Sequence, residues 1–398
     1  MKIIDTFAYH ILQEIIHLPG WLMQRFRKRD PMTWVFGAWH GHAYSDNARA
    51  VYEYTLCKHP EINAIWLTDN KDVFCSLKAN NKPVAMIHSK EGKRHCLQAG
   101  FAFITIDARD LNKWYINGVK QIWLWHGMPL KKIGCDMDVM ATIKEKIRFK
   151  FPYYAKKPYM FISIGGFWDA ALQSAFKISA KNIIHTGLPR NDAFFSSLNN
   201  SFINSIKLRH KNAIVLLYMP TYRDYKITRE HQAFNPFSDF CFDRDKFVQV
   251  LEVKNIIFLY KGHFNDLNTN RLHEQFGERF FVIDDSMYNN LYAEISNVDV
   301  LITDYSSIYF DFLLLNKPVI LAPFDYNEYL QKSRSLYFDY DSTMIGTKAY
   351  NWNELLQILL NESYEVPKNA LSKYHLHHDG NSAERVVQLV LNETRTDD

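Results

Sequence analysis

Val298–Asp325 reads VDVLITDYSSIYFDFLLLNKPVILAPFD, and this stretch decides the fold class. An apolar run too short for a buried helix ends at Thr303 and Asp304, which reads as a core strand. Ser306 is a good N-cap, because its hydroxyl can accept from the free amides of a first helical turn. The helix is expected to run to about Leu315, where Asn316-Lys317-Pro318 stop it, and Pro318 opens the next strand. This is a complete strand–helix–strand unit, the building block of a parallel sheet.

The same alternation extends outward through the chain. Short apolar runs at Thr33–Phe36, Ala64–Leu67, Phe103–Ile106, Gln121–Trp125 and Phe161–Ile164 form one set. A second set comprises Ala213–Leu217, Ile256–Tyr260, Phe280–Ile283, Val298–Ile302 and Val319–Ala322. The polar stretch after Arg190 (NDAFFSSLNNSFINS) separates them. With 398 residues the chain exceeds what one core fills. The expectation is therefore an α/β protein with two Rossmann-like domains, residues 31–195 and 196–398, preceded by an N-terminal helical segment over residues 1–30.

Hydrophobic residues at 47% and charged residues at 23% exclude a largely disordered chain. A net charge of +4, without a basic stripe, points away from nucleic acid. Five scattered cysteines with no CxxC pair favour neither zinc nor a disulfide framework and fit a reducing cytoplasm. No apolar run reaches the roughly 20 residues that span a bilayer. Residues 3 to 26 nevertheless place Ile4, Phe7, Ile11, Leu12, Ile15, Leu18 and Leu22 at helical spacing, with Pro19-Gly20 as a break. Arg25, Arg27, Lys28 and Arg29 follow, so the segment is either a peripheral membrane helix or a helix packed on its own domain.

Parallel sheets bind ligands beyond the carboxyl ends of their strands. Four such ends carry chemistry: His126-Gly127-Met128-Pro129-Leu130-Lys131-Lys132, Tyr218-Met219-Pro220-Thr221-Tyr222-Arg223-Asp224, Lys261-Gly262-His263, and Thr303-Asp304-Tyr305-Ser306-Ser307. Three of them lie in the second half and together suit an anion. Ser306 and Ser307 offer a helix N-terminus, Arg223 bidentate donors and Lys261 a mobile charge. The bland alternative makes Ser306 only a cap and pairs Arg223 with Asp224. His126 comes from the first half, in a tight turn marked by Gly127 and Pro129. A neutral imidazole there is a candidate general base, although single histidines are more often structural.

These residues carry a resemblance. WHGMPLKKIGCD (Trp125–Asp136) resembles the WHGTPLKKxGxD signature of the CDP-glycerol glycerophosphotransferase family, which holds the teichoic acid primases and polymerases. YMPTYRD (Tyr218–Asp224), TGLPRND (Thr186–Asp192), TDYSSIYFDF (Thr303–Phe312) and YSDNARAVYEY from Tyr44 are similar to further segments of that family. The resemblance implies a GT-B architecture with an acceptor-side N-terminal domain, a donor-side C-terminal domain and a central cleft. It also implies attack of an acceptor hydroxyl on the β-phosphorus of CDP-glycerol, with CMP leaving, in the making of a teichoic-acid-like or capsular polymer. Carried over residue by residue, His126 is the base, and Arg223, Lys261, His263, Ser306 and Ser307 hold the diphosphate. Asp304 and Asp311 are weaker candidates for polyol or ribose hydroxyls, with Thr303 beside them. Gly127, Pro129, Lys131, Asp136 and Thr221 complete the set.

Two departures concern the donor side: Phe264 follows His263 where the family has Pro, and SRSLYFDY (Ser333–Tyr340) lacks the family's Gly. Ribitol or another polyol phosphate, or a sugar nucleotide on the same fold, therefore stay open as alternatives. No cofactor or metal is expected, because no paired-carboxylate ligand set follows a donor-side strand. The expected partners are a nucleotide-activated polyol donor and a lipid-linked or oligosaccharide acceptor, with the protein in the cytoplasm at the inner face of the membrane.

Overall fold

The computed structural model describes residues 2–137, 151–155, 157–196, 201–221, 223, 235–262, 275–283 and 291–396. The chain divides into two compact units. The first holds Met1–His126, Val139–Asp192 and Asp379–Asp398, and the second holds Gly127–Asp138 and Ala193–His378. Two features differ from the expected domains. The chain changes unit immediately after His126, and its last twenty residues return to the first unit instead of completing the second. The helix Ser382–Thr396 supplies the reason, because Val386, Val387 and Val390 are buried in the first unit's core beside Val51 and Tyr52.

The first unit is a seven-stranded, all-parallel sheet in the order β3-β2-β1-β4-β5-β6-β7. Its strands are β1 (Asp30–Gly37), β2 (Asn63–Thr68), β3 (Val84–Met86), β4 (Ala99–Ile104), β5 (Lys120–Trp123), β6 (Met160–Ser163) and β7 (Ile183–His185). Burial on both faces explains why these strands read as continuous apolar runs. The second unit has six parallel strands in the order β10-β9-β8-β11-β12-β13. They are β8 (Ile214–Met219), β9 (Ile256–Tyr260), β10 (Phe280–Val282), β11 (Val300–Thr303), β12 (Val319–Leu321) and β13 (Thr347–Lys348). Strand order reverses between β1 and β4 in one sheet and between β8 and β11 in the other. A crevice at the carboxyl ends of the strands opens at such a reversal.

Two ends are trimmed relative to the sequence reading. β4 stops at Ile104 because the amides of Thr105 and Ile106 turn to the Asp110 carboxylate, at 2.8 and 2.6 Å, instead of the ladder. β5 stops at Trp123 because Trp125 adopts φ +55°. The helix after β11 begins at Ile308 and continues as a 3₁₀ turn to Leu315, so its extent is as expected. Ser307 precedes it and makes no capping bond through its side chain, which corrects the reading of Ser306 as the cap. The Ser306 and Ser307 carbonyls instead accept from the amides of Tyr309 and Phe310.

Helix α1 (Lys2–Met23) runs through Pro19 without the expected break. It packs on its own unit through Glu14, whose carboxylate accepts from Lys113 and from the Trp114 indole. Asn117 donates to the Trp21 carbonyl at 2.7 Å. No described helix is long and apolar enough to cross a membrane.

Candidate active site

His126 leaves the end of β5 between two left-handed backbones, Trp125 at φ +55° and Gly127 at φ +130°. The half-buried imidazole lies against two indoles, with centroids 4.2 Å away for Trp125 and 5.4 Å away for Trp39. Burial among these rings holds its pKa below the ordinary histidine value, and the Arg190 charge acts the same way. Asp46 and the Thr105 backbone oppose the shift without cancelling it. Its Nδ1 is buried with no hydrogen-bond partner among the described residues. The result is a neutral imidazole whose Nδ1 has no partner among the described residues, the protonation state that a general base at neutral pH requires.

The surrounding turns come from the reversal point of the sheet. After β1, Trp39 and His40 adopt φ +51° and +55°, and the His40 amide donates to Asp110 at 2.7 Å. The fully buried Asp110 carboxyl thus gathers three backbone amides, and burial pushes its pKa up to about 7. Gly37 admits this arrangement, since a Cβ there would stand 2.2 Å from the Asp110 carbonyl oxygen. On the opposite side Asn47, at the start of helix α2 (Asp46–Lys58), donates to the Leu124 and Trp125 carbonyls at 3.2 and 2.8 Å. The Arg190 amide donates back to the Asn47 side-chain oxygen at 2.9 Å. The Arg190 guanidinium pairs with Asp46, also at 2.9 Å. The YSDN and PRND segments therefore meet at the His126 turn. Single-residue reasoning had assigned no role to Trp39, Asn47, Asp110 or Arg190; the positive φ values and buried polar side chains are structural signals with no trace in residue spacing.

The second unit's reversal point holds a different assembly. Arg223 is 2% exposed and donates to Asp325 from Nε and Nη2, at 2.7 Å each, and to Asp304 from Nη2, also at 2.7 Å. Nη1 donates to the Thr221 carbonyl. Burial works against the charge, and the two carboxylates overcome it, leaving the guanidinium pKa well above its ordinary value. Asp304 also accepts from the amides of Thr221 and Tyr305, at 2.8 and 2.6 Å. Tyr305 stacks on Tyr329 with centroids 3.9 Å apart, and the guanidinium lies over both rings.

This placement gives several of the expected residues structural contacts. Arg223 and Asp304 are buried and bonded to one another, with Arg223 also on Asp325 and both on the main chain. The Thr303 hydroxyl is turned to the Met219 carbonyl at 2.7 Å, and Asp311 is buried and accepts from the Tyr292 hydroxyl at 2.9 Å. Lys261 follows β9, with its amide on the Tyr218 carbonyl at 2.9 Å. Ser306 and Ser307 remain half-buried at the turn after β11. His263 lies outside the described residues.

The Gly127–Asp136 stretch is held inside the second unit by SRSLYFDY. Lys132 donates its amide to the Ser335 carbonyl at 2.8 Å, Tyr337 its amide to Leu130 at 2.9 Å, and the Tyr337 hydroxyl to Asp136 at 2.9 Å. The Lys131 ammonium lies 5.5 Å from the Tyr329 ring centroid. Lys131 thus joins the Arg223–Tyr305–Tyr329 cluster, which spacing alone did not reveal.

Comparison with known proteins gives the family and the fold. The model of the CDP-Glycerol:Poly(glycerophosphate) glycerophosphotransferase family matches residues 21–392. This chain belongs to that family. A Staphylococcus aureus teichoic acid glycerol-phosphate transferase is 30% identical over 371 residues, 89% of this chain and 92% of the relative. A Bacillus subtilis teichoic acid poly(glycerol phosphate) polymerase is 27% identical over 90% of this chain, which spans 48% of that protein. Among solved structures, the wall teichoic acid polymerase TagF shares the fold, with a TM-score of 0.76 at 23% identity, covering 99% of this chain and 98% of that one. The glycerophosphotransferase fold is therefore GT-B-like, as the family resemblance implies.

Proposed function

We propose that this glycerophosphotransferase moves glycerol phosphate from CDP-glycerol to an acceptor hydroxyl in the synthesis of a teichoic-acid-like polymer. His126 takes the hydroxyl proton as the oxygen attacks the β-phosphorus; the P–O bond to CMP breaks, and its electron pair leaves with CMP. The observation that carries this reading is a histidine kept neutral by burial against two indoles, with a ring nitrogen that has no partner among the described residues, in the family's signature turn. Phosphoryl transfer needs chiefly positioning and charge stabilisation, for which Lys261, Lys131, His263, Ser306 and Ser307 are the candidate donor contacts. Glycerol is favoured over ribitol because matches to glycerol-phosphate enzymes extend over 89% and 90% of this chain. Matches to ribitol-phosphate polymerases cover 54%. Metal-independent transfer is part of the proposal, since Arg223 already neutralises the Asp304 and Asp325 carboxylates.

A panel of CDP-glycerol, CDP-ribitol and UDP-sugars, assayed for released nucleotide with and without EDTA, tests this reading. CMP release from CDP-glycerol alone, unchanged by EDTA, is expected. Turnover confined to another donor would overturn the substrate assignment, and magnesium-rescued loss in EDTA would overturn metal independence.

The acceptor is proposed to be lipid-linked, with α1 holding the protein at the inner leaflet. One face of α1 is packed through Glu14 and Trp21, while Tyr9, Leu12, Ile16, Met23 and Phe26 form an exposed apolar stripe, Phe26 being 88% exposed. Arg25, Arg27 and Lys28 beside it are exposed, whereas Arg29 turns inward to the Cys96 carbonyl at 2.7 Å. Three basic residues near an anionic leaflet contribute about 1 kcal/mol each. Salt-sensitive flotation with phosphatidylglycerol vesicles is expected, abolished by Leu12→Ser together with Ile16→Ser. Flotation that survives those changes would reject α1 as the anchor.

A further inference from the structure

Four non-glycine residues with left-handed backbones, Trp39, His40, Asp46 and Trp125, occupy the turns around His126. Such backbones persist only where neighbours over-determine them. Asn47 is fully buried, and its amide is spent on the main chain of these turns: Nδ2 on the Leu124 and Trp125 carbonyls, Oδ1 on the Arg190 amide. Carbonyl acceptors on one side and an N–H donor on the other leave one amide orientation that satisfies all three. The Trp125 carbonyl belongs to the peptide that leads into His126. Its 2.8 Å bond therefore fixes the plane of that peptide, and with it the direction in which the His126 side chain departs.

We infer that Asn47 is the positioning residue for His126, setting the imidazole between Trp39 and Trp125 through the Trp125–His126 peptide. The inference rests on the reading of His126 as the base. Asn47 touches neither substrate nor reacting atoms in this role. A misplacement of the base by about 1 Å is enough to cost on the order of a hundredfold in rate.

The test compares Asn47→Ala and the milder Asn47→Ser with the unaltered protein, each alone and combined with His126→Ala. Asn47→Ala is expected to lower kcat about 10- to 100-fold, with KM for CDP-glycerol within about twofold. In the His126→Ala background the same change is expected to add less than about twofold, because residues that act as a unit are not additive. An undiminished loss in that background would overturn the inference. A second readout is independent of turnover: the titration midpoint and tautomer signature of His126, followed by NMR on histidine-labelled protein. Both are expected to change in the Asn47 variants, and an unchanged His126 titration would overturn the inference. If Asn47→Ala does not fold, Asn47→Ser carries the same comparisons. Full turnover by His126→Ala would reject the base itself, while the NMR comparison would still decide whether Asn47 sets the imidazole.

Discussion

Each sheet has its own reversal point, and the strand ends near it are used in opposite ways. At the end of β5 a neutral imidazole lies against two indoles, its surrounding turns held by the Asn47 amide, the Asp110 carboxyl, the Asp46–Arg190 pair and strained backbone, with a buried Nδ1 that has no partner among the described residues. At the ends of β8 and β11 three charges, Arg223, Asp304 and Asp325, are buried together and answered by one another and by backbone groups. The first arrangement leaves a ring nitrogen without a partner among the described residues. The second uses charge to shape a loop. An Arg or Asp in a motif can thus serve the main chain, while the proposed chemistry rests on a lone histidine.

The comparison breaks most visibly at Arg223. Removing one partner from a buried ion cluster leaves uncompensated charge and costs about 3–5 kcal/mol. Arg223→Leu is therefore expected to lower unfolding stability by that order in urea titration. Arg223→Lys should recover only part of it, because an ammonium cannot reproduce the two-carboxylate fork. A stable, folded Arg223→Leu protein that merely binds CDP-glycerol weakly would show that the guanidinium faces the donor after all.

A smaller effect sharpens the other side. Burial holds the His126 pKa below its ordinary 6.5, so the working neutral form predominates before pH 6.5 is reached. As pH rises, kcat/KM should climb along a limb with its midpoint below 6.5 and then level. Trp39→Ala admits water to the ring and should move that midpoint upward. A midpoint above 7 in the unaltered protein would contradict the desolvated base.

Much of this was legible in the residues. The Val298–Asp325 unit reads correctly because its strands are buried on both faces and its helix is stopped by Asn316-Lys317-Pro318. β3, β7 and β13, with two or three residues each, are not among the apolar runs read as strands. The return of Ser382–Thr396 to the first unit was also hidden, since an apolar face shows that a helix packs but not on which sheet. The His126 turn was foreseen from Gly127 and Pro129, whereas its clamp was not. Asn47 lies 77 residues from Leu124 and 143 from Arg190, and only the folded chain brings them together. The carboxylates that hold Arg223 are hidden for the same reason. Asp304 and Asp325 lie 81 and 102 residues away.

The central claim is that His126 is the base of glycerol-phosphate transfer and not a support for the turn. His126→Ala should lower CMP release from CDP-glycerol at least about a hundredfold, the scale of a lost general base, while the melting profile and CDP-glycerol binding by calorimetry stay close to those of the unaltered protein. Near-normal CMP release by the folded variant would contradict the account.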